Sequence, residues 1–599
     1  QPAASRLQGL HLRSASAGGQ WADGTLRLQT LKVQTDDALL QGQLDVQLAS
    51  KASRGQLHLS LPGGQADIAG HLSAQAGAGD FALHLADGGK ASRWLAKLPG
   101  LAPFLAGTSV QGHAELTGHW QGGWQHQGTQ LALQAALRVP RMDLRAPDQT
   151  PEQPLHLSEL NADLAGHLGA LNLRASGELQ TGTRRFNLQT QVSGGRGTNG
   201  DWRARIQSAT LQAQNSPQPG HWTVQLREPL TIGWSPGNGA GTLGAGEASL
   251  SSPLPGAATL SWQPVRWRVD GSHSELQTQG QLRALPLAWL DLLGNEQLAK
   301  LGLRGTMLFD GDWDVQATDT LKLRASLLRR SGDIRVQADE NVAVKGSISA
   351  LQGIDAGVQQ ASITVTADGQ ALHGALRWDS ERAGQVQADF ATRLSRGNAH
   401  TGEGWRWPAD APLTGSVRAR LPQVGVWSVL APPGWRVRGT LDANVALAGT
   451  RASPQWRGTL TADDLALRSV VDGIEFSHGK LRASFTGQRM DIQEFSLQGA
   501  SVGTSSGGQL TLKGFAEWLP DSTAAKPGLS KIRMTLQAQA QGLRVLSRTD
   551  RRLTVSGTLQ AGLSDATLEI RGALKADQAL FVVPDDTAPT LGSDVVVKS

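Results

Sequence analysis

Apolar residues recur at every second position in run after run of this chain, and the runs are bounded by Gly, Asp or Ser. TLRLQTLKV sets Leu26 and Leu28 on one side, GQLDVQLAS sets Leu44, Val46 and Leu48 together, and GQLHLSLPGG does the same with Leu57, Leu59 and Leu61. Side chains of an extended strand point alternately to opposite faces, so this period makes one face dry and the other wet. The rhythm returns in LALQAALRV, LNLRASGEL and RFNLQTQV, and again in QLTLKGFAEW, RMTLQAQAQ and RLTVSGTLQAGL near the end. Runs joined by short turns predict an antiparallel meander. Turn signals give on the order of 45 strands of ordinary length. Stacked at ~4.8 Å each they would extend roughly 200 Å, and no single closed sandwich holds that many. The expected fold is all-β: a very long, twisted, mostly antiparallel sheet curled into an open groove or tube, β-taco-like, with a few short amphipathic helices.

Three stretches break the period. SRWLAKLPGLAPFLAG, LPLAWLDLLGNEQLAKLGLRG and LPQVGVWSVLAPPGW are apolar, carry Trp94, Trp289, and Trp427 with Trp435, and hand over to strands through Gly107-Thr108, Gly305-Thr306 and Gly439-Thr440. Their helix-like spacing, cut by Pro, predicts short amphipathic plugs. These cap or line the groove, where they would constrict it, or else lie on the surface against a membrane or serve plain packing. They divide the chain into segments 1–91, 92–284, 285–420 and 421–599. A Pro-rich interruption from Pro140 to Pro154 predicts an edge or a loop-out, since Pro cannot donate to a ladder.

Composition narrows the function. With 72 Gly and 26 Pro but no collagen period, the chain is turn-rich. A net charge of +5 over 599 residues is too dilute for a nucleic-acid binder. The small basic clusters Arg329-Arg330 and Arg548, Arg551, Arg552 read as solvated strand ends or as lipid-headgroup contacts. There is no Cys, so disulfides and Cys-bound zinc are excluded. No run approaches the ~18 apolar residues of a spanning helix. Tyr is absent while Trp reaches 18, which argues against the mixed aromatic girdles of an outer-membrane barrel.

Chemistry-bearing motifs fail on context. Gly503-Thr504-Ser505-Ser506-Gly507 fits a nucleophile elbow, but a strand follows where that elbow needs a helix. Gly239 to Gly244 fits G-x-G-x-x-G, yet Pro253 and Pro255 deny it the helix of a dinucleotide site, so it reads as a loop. His113, His119 and His126 lack metal-ligand spacing and read as exposed strand residues. Acidic residues are scattered or sit in turns, as at Asp463-Asp464 and Asp585-Asp586. No catalytic residue, metal or cofactor is expected.

What remains is the apolar face. A groove too long and open to fill with its own Leu, Val and Ala must be covered by something. Acyl chains at ~0.8 kcal/mol per buried CH₂ are a natural cover. The candidate lining is Leu44, Val46, Leu48, Leu441, Ala443, Val445, Leu447, Leu460, Phe476, Leu481, Phe485, Leu559 and Leu563, with Asp442 and Asn444 facing away. Two other classes compete: a scaffold holding unfolded outer-membrane strands, and a secreted β-solenoid adhesin with a self-packed core.

GTLDANVALAGTRASPQWRGTLTADDLALRSVVDGIEFSHGKLRASFTGQRMDIQEFSLQGA (439–500) resembles the repeat of the TamB family, AsmA-like bridge-like lipid-transfer proteins of Gram-negative envelopes. RTDRRLTVSGTLQA (548–561) and LFVVPDDTAPTLGSDVVV (580–597) resemble the region just ahead of that family's C-terminal domain. The resemblance implies a periplasmic non-enzyme reaching from inner to outer membrane, anchored by an N-terminal helix absent here. It implies transfer of phospholipid and support of outer-membrane protein assembly with a TamA-type barrel. It also implies that the C-terminal, partner-binding domain lies beyond this chain.

Overall fold

The computed structural model describes residues 11–97, 108–125, 131–145, 155–215, 220–270, 273–289, 304–336, 354–397, 405–430, 435–469, 472–501, 506–518, 532–564 and 567–582. Strands dominate these residues: 38 can be delimited, and 33 belong to one antiparallel sheet. Successive hairpins pair in chain order over most of its length, as the alternating pattern requires. The chain forms two compact units, Gln1–Leu285 with Asp314–Asp319, and Pro286–Trp313 with Thr320–Ser599. Each is considered by itself.

In the first unit the alternation is read directly in burial. Ser109–Gln121 alternates exposed and half-buried residues from end to end. Directly opposite residues of antiparallel neighbours lie on one face, so the pairing can be followed across the sheet. Leu57 faces Ile68, Ile68 faces Phe81, Phe81 faces Gly118, and Gly118 faces Ala135. The row continues through Leu164, Leu173, Val192 and Ile206 to the buried Leu230.

The helix of this unit, Gly88–Leu95, starts earlier than the plug spacing predicts. Asp87 caps it: the Lys90 backbone N–H donates to the carboxylate, which holds that carboxyl below its ordinary pKa range. A depressed carboxylate stabilises above its unfolded pKa, and that contribution is lost as pH falls through the folded one. Hydrogen exchange at the Lys90 amide should therefore accelerate relative to neighbouring strands as the solution is acidified below the carboxylate range. In Asp87→Asn the same amide should show no such acid step.

Pro140 corrects an expectation. It stands inside the strand Ala132–Arg145 rather than in a loop-out. Against Leu155–His167 the ladder skips it in register, Val139 facing Leu160 and Arg141 facing Ser158, with Glu159 at φ 52° in the gap. Against Ser109–Gln121 the register slips by one, His113 facing Arg141 and Glu115 facing Arg138, so Val139 and Pro140 stand opposite the single residue Ala114. The missing N–H is thus placed in a bulge, where no partner waits for it. The rest of that interruption, 146–154, lies outside the described residues.

The second unit repeats the scheme. Val417 faces Val445, Val445 faces Gly458, Gly458 faces Phe485, and Phe485 faces Met490. Bulges re-aim long strands without losing the face. Asp464 and His478 hold φ near +50° where the pairing slips. Asp463-Asp464 therefore sits within the strand Pro454–Ser469, not in a turn. No helix among the described residues is long and apolar enough to cross a membrane.

Candidate functional site

The candidate site is the apolar face of the sheet, and its construction is clearest on the strand Trp435–Gly449. Asp442 and Asn444 are exposed, Leu441, Ala443 and Leu447 are half-buried, and Val445 is 7% exposed. On the next strand Ala462, Leu460, Gly458 and Trp456 stand opposite these four. Leu481, Ala483 and Phe485 extend the same rows one strand further. Leu559 pairs with Ala538 and Leu563 with Met534, so both also join the apolar rows. In the first unit Leu44 and Val46 face Leu28 and Leu26.

Leu48 does not belong. The strand ends at Gln47, and Leu48 lies in the following turn, 59% exposed, because Lys51 at φ 52° already reverses the chain. Alternation could not reveal this, since the register carries straight on through the turn. Phe476 is placed differently from the rest. It packs with Leu510, Val545 and Leu553 against Ala540, Leu543 and Val555. There the Ser547 N–H donates to the Gly473 carbonyl at 2.8 Å, although two strands separate the hairpin partners in the ladder. The sheet curls enough at this end for its own side chains to meet across the face. This closure was not legible in the pattern; the positive φ of Gly542 and the bulge at His478 are its local signals.

Elsewhere the face is low rather than filled. Where an aromatic residue lands on it, the neighbouring strand supplies glycine beneath the ring. A Cβ on Gly374 would overlap the Phe390 ring, one on Gly241 the Trp267 indole, and one on Gly79 that of Trp120. The rings lie flat over bare backbone, so bulk does not obstruct the face. Phe485 and Trp518 stack at 6.3 Å along one lateral edge of the second unit.

In the second unit the paired charges of Arg420, Arg482 and Arg489 stand on the opposite face. Arg420 pairs with Asp442, Arg482 with Asp463, and Arg489 with Asp491 and Glu517. The hydrogen bonds to Asp463 and to Asp491 raise the pKa of Arg482 and Arg489 respectively. Arg329 donates to the Gly332 carbonyl, Arg330 pairs with Asp310, and Arg548 and Arg551 share Asp550. Arg329, Arg548 and Arg551 are thus tied into local turns, Arg330 is paired across two strands, and Arg552 is an exposed strand residue. His113 and His119 are exposed strand residues; His126 lies outside the described residues. Residues 240–243 of the glycine-rich motif form a strand rather than a loop. Most of the G-x-S-x-G motif falls outside the described residues.

The plugs are only partly described. Trp94 is buried in the capped helix, and Trp289 is fully buried just after the strand His273–Pro286. Trp427 lies in the 3-10 helix Val424–Leu430 and donates Nε1–H to the Ala383 carbonyl at 3.2 Å. Trp435 is no plug residue: it begins a strand opposite Ser469. Residues 98–107 and 290–303 of the other plugs lie outside the described residues.

Residues 498–599 match the family model of the TamB C-terminal domain. The match begins where the repeat-like stretch 439–500 ends, and it includes the strands Gln509–Trp518, Ile532–Ser547, Arg551–Ser564 and Thr567–Phe581. The expectation that this domain lies beyond the chain is thereby corrected: the segments taken as preceding it are inside it. No curated protein matches the chain, and no solved structure does. The match supports a TamB-type role in the cell envelope, that of a translocation and assembly module.

Proposed function

We propose that this chain, a member of the TamB family by its residues 498–599, is a wall of a hydrophobic conduit carrying phospholipid through the periplasm between inner and outer membranes. One observation carries the reading: the ladder aligns apolar side chains into rows that cross strand after strand, yet leaves most of them half-exposed. A self-packed adhesin would bury them. A half-exposed Leu leaves about 1 kcal/mol of burial unused, so a handful of such residues supports one acyl chain. Because equivalent contacts recur every ~4.8 Å, a chain sliding across strands exchanges like for like. No bond is made or broken, and no cofactor is needed.

The test is a photo-crosslinking residue placed at Leu447 or Ala443, against one at Asp442 or Asn444. Capture of phospholipid is expected at the first pair and not at the second; equal capture on both faces would sink the reading. Lipid extraction and mass spectrometry of the purified chain then names the cargo.

A second reading draws on Thr567–Phe581, whose residues are exposed on both faces and include Leu568, Ile570 and Leu574. An exposed edge can add a strand from another chain. In that case the chain holds unfolded outer-membrane strands for a TamA-type barrel, and the same crosslinkers would capture peptide and no lipid.

A further inference from the structure

One lateral edge of the first unit's apolar face carries a row that the strand pattern does not announce. Trp202 opens its strand directly opposite Trp234, the last residue but one of the strand Leu230–Ser235. Trp234 faces Gly241, and Gly241 faces Trp267, whose indole lies over it. Trp202 and Trp234 are each 38% exposed. The row therefore borders the face without being sealed into it. On the inner side of this edge the adjoining row is Gly194, Ala204, Ile232 and Leu243, all apolar or bare.

Arg196 completes the row. It is the last residue of the strand Arg184–Arg196 and stands directly opposite Trp202, on the same face. Its Nε is buried and makes no hydrogen bond. The carboxylate of the adjoining turn, Asp201, accepts instead from the Asn199 amide at 2.6 Å. With Nε covered, a phosphate can engage this guanidinium only through its two outer Nη groups. A guanidinium beside exposed indoles and above an apolar floor has the layered chemistry of a lipid in a bilayer: anion, interfacial ester, acyl chain. Indoles favour that interfacial level because an apolar ring carries one N–H. Guanidinium binds phosphate in two-point fashion, where ammonium does so only as a point charge.

Resting on the conduit reading above, we propose that Arg196 with Trp202, Trp234 and Trp267 forms a headgroup-level site on the lip of the apolar face, specific for glycerophospholipid. The phosphate lies on Arg196, the glycerol ester lies along the indoles, and the acyl chains lie over Ala204 and Ile232.

The whole chain is incubated with vesicles of dioleoylphosphatidylglycerol, and separately with vesicles doped with dioleoylglycerol, which has the same tails and no phosphate. Retained lipid is measured after re-isolation, with strand content checked by circular dichroism. Arg196→Gln is expected to lower phosphatidylglycerol retention ~5–10-fold and leave dioleoylglycerol unchanged, and Arg196→Lys to recover part of the loss. Trp202→Ala with Trp234→Ala is expected to lower both lipids. If Arg196→Gln leaves the ratio of the two lipids at its original value, the site is overturned while the conduit stands. If the unaltered chain retains neither lipid, both are overturned.

Discussion

Arginine in place of Leu447 is expected to strip bound phospholipid from this part of the face by about tenfold while the strand ladder stays folded. Leu447 is half-buried, and its cross-strand neighbours are Gly415 on one side and Trp456 on the other. The bare glycine leaves room for a longer side chain to lie down and carry its charge toward the nearby strand end, so folding is largely spared. An acyl chain is not spared. Covering a guanidinium forfeits the burial of at least two methylenes at ~0.8 kcal/mol each, and ~1.4 kcal/mol is already tenfold. Lipid retained after purification measures the effect. Retention at the level of the unaltered protein would remove Leu447 from the conduit. Two residues earlier the same change should behave otherwise. Val445 is almost fully buried between Val417 and Gly458, and an arginine there should cost roughly 3 kcal/mol or more in folding. Loss of soluble protein in Val445→Arg would therefore say nothing against an open face, whereas the same loss in Leu447→Arg would favour a closed core.

Gly458→Val is expected to destabilise the strands around it by about 3 kcal/mol. Gly458 has φ 154°, and a Cβ there would fall on the Asn444 carbonyl oxygen and lie 2.7 Å from Val445 Cα. Both obstacles are backbone of the paired strand, so no rotamer change relieves them. Overpacking of this kind costs ~1–3 kcal/mol and an unfavourable backbone angle ~1–3 kcal/mol more. Each strand in such an array leans mainly on its neighbours, so the damage should stay local. Hydrogen exchange should rise across Trp435–Gly449, Pro454–Ser469 and Ile474–Gly487, and remain unchanged in the first unit. Unchanged protection in those three strands would show that the ladder can part there at little cost.

The contrast between Leu447 and Val445 shows how far the pattern reaches. Period-two alternation was enough to assign both to one face, with Asp442 and Asn444 on the other. It holds no information on which of two equivalent leucine-like positions is covered, because that depends on whether the neighbouring strands present Gly, Val or Trp at the same height. Leu48 marks a related limit. Its parity is right, but parity persists through a turn in which the sheet has already ended. Trp435 fails likewise, since an apolar, Pro-broken stretch fixes neither where helix-like spacing stops nor where the next strand begins.

By itself, then, the sequence determined the antiparallel all-β ladder, the two-faced character of its strands and the apolar identity of one face. Those follow from spacing along the chain, and spacing is local. Tertiary structure alone decided the register that lines Val417, Val445, Gly458 and Phe485 into one row. It also decided the bulges at Pro140, Asp464 and His478 that keep such rows continuous, and the meeting of Phe476 with Leu543 where the sheet curls. The edge that gathers Trp202, Trp234, Trp267 and Arg196 belongs with these. Such features join residues tens of positions apart through hydrogen bonds between strands, and only the pairing of those strands brings them to the same place.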